Sequence, residues 1–152
     1  MLPTPKKFTL CVGAAEGSPK LNAFDNALLE AGIGNLNLLK VSSILPPGAQ
    51  YVDHIDAPPG SLIPTAYGSI ASDEPRELIA AAVGVGLVQG SFGVIMEYAG
   101  RCSRQEAEQV VTNMVREALH TRKLELDRIV VKSVDHKVVS SGCAFAAVAL
   151  WY

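Results

Sequence analysis

Leu78-Ile79-Ala80-Ala81-Ala82-Val83-Gly84-Val85-Gly86-Leu87-Val88 is the stretch on which the fold turns. Its three alanines favour a helix. Val83, Val85 and Val88, with Gly84 and Gly86 between them, favour a strand whose small residues let another layer come close. We read it as a strand. Gly90-Ser91 then makes a turn, and Phe92 to Ala99 is the returning arm of a hairpin.

Upstream, Phe8, Leu10 and Val12 alternate and predict a strand over about 7–13, followed by a loop from Gly13 to Pro19. Leu21, Phe24 and Leu28 stand at helical spacing. They predict a helix over about 22–31, with Asn22 as a cap, Gly32 as a stop and Asp25 beside the apolar stripe. Asn35-Leu36-Asn37-Leu38 alternates into a strand that runs on to Ser42-Ser43. Gly32 and Gly34 do not complete a dinucleotide fingerprint, because a strand and not a helix follows them. Pro46 to Pro59 is loop, with a short strand near Tyr51-Val52, and Ser61 to Ala71 is strand. Ser72-Asp73-Glu74-Pro75 reads as a turn or as a helix start that never develops. Ser103-Arg104-Gln105-Glu106 is a capping box. It opens a helix over about 104–122, with Val110, Met114 and Ala118 at i, i+4, i+8 and Val111 and Val115 alongside. Arg128 to Lys137 and Cys143 to Trp151 close the chain as strands. Few helices, separated by groups of strands, make this an α+β protein of one domain.

Composition removes several function classes. The 152 residues carry 13 basic and 15 acidic side chains, net −2, with no run of five like charges. Bulk charge therefore offers no grip on nucleic acid or a membrane surface. Only 18% of residues are charged and 49% are hydrophobic, which points to surface buried between subunits. Cys11, Cys102 and Cys143 are odd in number and form no C-x-x-C, and His54, His120 and His136 lack ligand spacing. A disulfide framework and a metal site are not expected, and a reducing cytoplasm is. The amino end lacks the apolar core of a signal peptide, and no apolar run is long enough to span a bilayer.

The chemistry-bearing candidates are few. Val41-Ser42-Ser43-Ile44-Leu45-Pro46-Pro47-Gly48 places two hydroxyls where a buried strand ends. Ser is at home in a turn. The same pair also suits a self-cleaving chain. The Ser43 hydroxyl attacks the Ser42 carbonyl and turns the amide into an ester, elimination leaves a dehydroalanine, and hydrolysis leaves a pyruvoyl cap. The chain holds a second pair, Ser140-Ser141, so the dipeptide alone decides nothing. In Phe92 to Tyr98, Glu97 shares a strand face with Gly93 and Ile95. Burial there raises a carboxyl's pKa and suits it to proton donation, whereas an edge position leaves it solvated or paired. Asn37 is a candidate for polarising the Ser42 carbonyl, or for an ordinary strand-end hydrogen bond. Asp25 is a solvated helix residue unless a cationic ligand approaches. No G-x-S-x-G and no Ser/His/Asp set is present.

Three groups of residues carry a resemblance over nearly the whole chain. The first is Leu21-Asn22-Ala23-Phe24-Asp25 with Gly32-Ile33-Gly34-Asn35-Leu36-Asn37-Leu38 and Val41-Ser42-Ser43-Ile44-Leu45-Pro46-Pro47. The second is Ile63-Pro64-Thr65-Ala66-Tyr67-Gly68 with Ile95-Met96-Glu97-Tyr98. The third is Gly142-Cys143-Ala144-Phe145-Ala146-Ala147. In order and spacing they resemble the pyruvoyl-dependent arginine decarboxylases. Departures at Val41, Leu45 and Ala99 touch none of the chemistry. The resemblance implies cleavage between Ser42 and Ser43 into a β chain, 1–42, and an α chain, 43–152, that begins with a pyruvoyl group made from Ser43. It implies a four-layer αββα sandwich, assembled as a homotrimer or a dimer of trimers with active sites between subunits. It implies conversion of L-arginine to agmatine and CO2 through a Schiff base to the pyruvoyl carbonyl, without pyridoxal phosphate or a metal. Asn37 would act in self-processing, Glu97 as the catalytic acid and Asp25 on the substrate guanidinium. Two other readings are the same chemistry on another amino acid such as lysine, and an unprocessed, non-catalytic oligomer that binds a cationic ligand.

Overall fold

The computed structural model describes residues 1–152. In chain order it comprises β1 (Lys7–Glu16), α1 (Lys20–Glu30), β2 (Asn37–Lys40), β3 (Ile44–Leu45), β4 (Gln50–Tyr51), β5 (Leu62–Ser72), β6 (Leu78–Leu87), β7 (Gly93–Gly100), α2 (Arg104–Thr121), β8 (Arg128–Lys137) and β9 (Gly142–Trp151). Two helices, separated by groups of strands, make the protein α+β.

The deciding stretch is β6, inside a four-stranded sheet of order β3-β7-β6-β8. Both of its neighbours are antiparallel, and β7 is the returning arm of the expected hairpin. Ala81, Val83 and Val85 face the other sheet, while Ala80 and Ala82 lie under α2. The glycines explain the mixed signal. A Cβ on Gly84 would stand 2.5 Å from Val111 Cγ1, and one on Gly86 would stand 2.6 Å from Val115 Cγ1. The small residues are the floor on which α2 rests. Val111, Val115 and Leu119 are buried there, and each contributes about 1.5–3 kcal/mol relative to exposure. The Ser103 hydroxyl accepts from Glu106 N–H at 3.2 Å and caps α2 as its sequence predicts.

The second sheet has five strands in the order β2-β5-β9-β1-β4. Its β1–β9 and β5–β9 pairs are antiparallel, and its outer pairs β2–β5 and β1–β4 are parallel. One face of this sheet carries α1 over Cys11, Cys143, Phe145 and Ala147. The other meets the four-stranded sheet, where Phe8, Leu10 and Val148 pack with Val83, Val85 and Ile95 in one buried cluster. No helix is long and apolar enough to cross a membrane.

The amino-terminal third corrects three expectations. Residues 13–16 are not loop: β1 pairs with β9 as far as Glu16↔Gly142. Gly13 permits this, because a Cβ there would stand 2.1 Å from the Ala27 carbonyl oxygen. Without a side chain at 13, α1 lies directly on the strand. Helix α1 begins at Lys20, and Asn22 is not its cap. Pro19 holds the N-cap position, while the Asn22 amide donates to the Ser18 carbonyl. Leu21 is 72% exposed, so the buried stripe is Ala23, Ala27 and Leu28 with Phe24 beside it. Gly32 does stop the helix, with φ +84°.

Candidate active site

Ser42-Ser43 lies where the chain leaves one sheet for the other. Val41 N–H donates to the Thr65 carbonyl, the last bond to the five-stranded sheet. The Ser43 carbonyl accepts from Ile95 N–H at 2.7 Å, the first bond to the four-stranded sheet. Between these anchors, the Ser42 carbonyl and the Ser43 N–H make no hydrogen bond within the chain. The peptide bond is thus gripped on both sides and unpaired itself. Ser42 and Ser43 line a depression of about 270 Å³ with the apolar Val41, Ile44, Pro64 and Leu150.

The second serine pair is in the opposite condition. Ser140 and Ser141 N–H both donate to Glu16 Oε1, at 2.8 and 3.0 Å, and the Ser141 hydroxyl donates to Asp73. The Ser141 carbonyl accepts from Gly17 N–H. Burial alone would raise the Glu16 pKa, but the His136 ring and the N–H groups of Ser140, Ser141 and Val139 outweigh it and hold it at about 2. Hydrogen bonds tie that loop to Glu16, Gly17 and Asp73.

Glu97 comes to the same end of the molecule as Ser43. The β3–β7 register, Ile44↔Val94, places Ser43 opposite Ile95. Glu97 is two residues further on the same strand face, about 6–7 Å along β7. Its cross-strand partner is Val83, so its side chain points into the gap between the sheets. There its Cβ and Cγ pass Gly68 of β5, 3.5 Å from where a Cβ would stand. Burial pushes the Glu97 pKa up, and the Lys40 ammonium partly opposes the rise. Of the two readings its strand face allowed, Glu97 takes the half-buried one.

Asp25 and Asn37 meet elsewhere. They line a depression of about 350 Å³ with Phe24, Leu28, Leu38 and Tyr67, between α1 and β2. Asp25 is exposed on α1. The Asn37 amide donates to the Gly60 carbonyl at 3.0 Å. Five residues of extended chain, roughly 16 Å, separate Asn37 from Ser42. One chain therefore brings Ser43 to Glu97 and Asp25 to Asn37, but does not bring the two pairs together. Sequence reading passed over Lys40 and Tyr67, whose ammonium and ring centroid lie 4.5 Å apart. Lys40 ends the strand that leads to Ser42-Ser43, and Tyr67 lies within one of the resembling runs; neither carries a signal of its own. A depression lined by Val88, Gln89, Glu125, Leu126 and Asp127 holds none of the predicted residues. No group of three or more His, Cys, Asp or Glu side chains could hold a metal ion.

An unpaired serine peptide held between two sheets, beside a carboxyl of raised pKa, fits the class of enzymes that make their cofactor from their own chain. Residues 7–152 match the family model for pyruvoyl-dependent arginine decarboxylase. A protein of that name from Methanocaldococcus jannaschii is 51% identical over 150 residues, covering 97% of this chain and 91% of the relative. Those from Pyrococcus horikoshii and Pyrococcus furiosus are 45% and 44% identical over 152 residues, each covering 98% of this chain and 96% of the relative. The chain belongs to the pyruvoyl-dependent arginine decarboxylase family.

Proposed function

We propose that this protein cleaves itself between Ser42 and Ser43 and then decarboxylates L-arginine to agmatine and CO2. The observation that carries the reading is the unpaired Ser42–Ser43 peptide held beside Glu97. The bonds that change in cleavage involve only the chain's own atoms and a water. Ser43 Oγ bonds to the Ser42 carbonyl carbon, the C–N bond breaks, and the hydroxyl proton passes to the freed nitrogen, which becomes an amine. Loss of the Cα proton of residue 43 then expels the Ser42 carboxylate. Water replaces the nitrogen as ammonia and leaves the pyruvoyl group. The products are a β chain, 1–42, and an α chain, 43–152, of one αββα four-layer domain. The contacts of α1 with one sheet, α2 with the other and the sheets with each other support that layering.

The bond from Ile95 N–H to the residue 43 carbonyl lies outside the severed peptide. It keeps the new amino end beside Glu97, so the residues present fit the group. Once formed, the group supplies a carbonyl that takes the substrate amine and accepts the electron pair left by CO2. Glu97 supplies the proton to the α-carbon. Asp25 grips the guanidinium, which matches a carboxylate fork to fork. Three free cysteines suit a reducing, cytoplasmic setting. Arginine is the expected substrate: cut protein should release agmatine and CO2 in equal amounts from arginine, and little diamine from lysine. Equal turnover of lysine would overturn the assignment of substrate.

The separation of the two residue pairs supports an active site shared between copies in a homotrimer or a dimer of trimers. β2 and β3 are edge strands of their sheets. Leu39, Ile44 and Leu62 on and beside them are 40%, 40% and 58% exposed, an apolar edge suited to a partner. Asn37 of one copy then acts on Ser42 of the next. Asn37→Ala and Ser43→Ala chains, each expressed alone, should stay uncut. Expressed together, the Asn37→Ala chain should be cut, because its partner supplies the amide. Mass spectrometry of the mixed oligomer reads the outcome, and uncut chains in a confirmed mixed oligomer would refute the shared site.

A further inference from the structure

We propose that Glu16 is a clasp between the two chains that self-cleavage makes. Its carboxylate fastens the β chain, which carries Asp25 and Asn37, to the α chain, which carries residue 43 and Glu97. The proposal rests on the reading that the protein is cut between Ser42 and Ser43. A cut leaves β1, α1 and β2 joined to the rest by non-covalent contacts alone. Backbone pairing supplies most of them: β1 lies between β9 and β4, and β2 along β5. Side chains cross the boundary at few places. Lys132 reaches the Leu10 carbonyl and Asn37 the Gly60 carbonyl, one bond each. Lys20 and Asp73 stand 3.6 Å apart, but both are more than half exposed, and such pairs contribute little.

Glu16 gathers several bonds at one carboxylate, and every partner belongs to residues 43–152. Oε1 accepts from Ser140 and Ser141 N–H at 2.8 and 3.0 Å. Oε2 accepts from Val139 N–H at 3.3 Å and meets the His136 ring. The next residue adds the bond from Gly17 N–H to the Ser141 carbonyl. The Ser141 hydroxyl donates to Asp73, so the end of β1, β8, the β8–β9 loop and the β5–β6 turn meet here. The pair of Glu16 and His136 sits over Gly142. A Cβ there would stand 2.5 Å from Glu16 Oε2 and 2.7 Å from His136 Cδ2. The cluster lies at the Gly142 end of β9, whereas Leu150, which lines the Ser43 depression, lies at the other. The clasp can therefore open without disturbing the reacting groups.

Glutamine at position 16 keeps the shape but sets an NH2 donor among donors and removes the charge. Glu16→Gln should fold, be cut, and then release its β chain more readily. Size exclusion with intact-mass reading of each fraction measures the release. At a urea concentration that frees a small fraction of the β chain from wild type, the dissociation constant between the chains should be roughly tenfold larger or more, the contribution of one charge-assisted hydrogen bond. Agmatine release should fall in step with the β chain. Gly142→Ala leaves both partners intact but crowds them, and should shift dissociation the same way. In a Ser43→Ala background, uncut, Glu16→Gln should stay folded as one chain at that urea concentration. Cut Glu16→Gln that holds its β chain as tightly as wild type overturns the inference. So does Glu16→Gln that fails to fold even uncut, since Glu16 would then serve folding and not retention. Wild-type protein that is never cut removes the reading on which the clasp stands. Loss of the β chain from the cut variant, with the uncut one folded, is the expected result.

Discussion

Ser43→Ala should yield one uncut chain of 16.1 kDa with no decarboxylase activity. Wild-type protein should instead run as two chains, the larger with a blocked amino end. The effect is all or none because alanine removes the only atom able to form the ester. The fold should survive. Ser43 contributes its carbonyl to the Ile95 bond, and its hydroxyl makes no hydrogen bond within the chain. Intact-mass spectrometry before and after incubation measures the outcome. Cleavage of Ser43→Ala at the wild-type rate would remove Ser43 as nucleophile. Ser141→Ala is the control. That pair is bound to Glu16 and Asp73, and its substitution should leave the cut unchanged.

Glu97→Gln should separate the making of the cofactor from its use. The scissile peptide needs a hydroxyl and a polarised carbonyl, and Glu97 lies beyond Ile95, further along β7. Glutamine keeps the size and the hydrogen bonding but has no acidic proton. The variant should therefore be cut into two chains and bind arginine, yet lose roughly 10²–10⁴-fold in kcat, the usual cost of losing a general acid. The pH profile sharpens the test. Burial raises the Glu97 pKa, so wild-type kcat should fall as pH rises through that raised value, and Glu97→Gln should lack the limb. Cut protein that releases agmatine at a near-normal rate would dismiss Glu97 as the acid. An uncut variant would move Glu97 into processing.

The two substitutions act on neighbouring groups with separable roles. Ser43 is held to β7 through the Ile95 N–H, and Glu97 lies on β7 itself, so either variant leaves the other group in place. Loss of cleavage in the first and loss of turnover alone in the second would together divide the site into its two functions.

Local periodicity alone determined most elements. Alternation marked β7 and the strand entering Ser42-Ser43, the capping box marked α2, and the two faces of β7 placed Glu97 with Ile95. These patterns are local, set by the two-residue pleat and the helical repeat. The limits of β1 and α1 were not legible, because β9 extends β1 through pairing more than a hundred residues away and Gly13 admits α1 by direct contact. Nor could sequence separate the two serine pairs as dipeptides. Only the tertiary structure ties Ser140-Ser141 to Glu16 and leaves Ser42-Ser43 between two sheets. It also decided that Glu97 passes Gly68 across the gap and that Val83 and Ile95 pack against Phe8 and Val148. Those are distances between elements of different sheets, and no spacing along the chain encodes them.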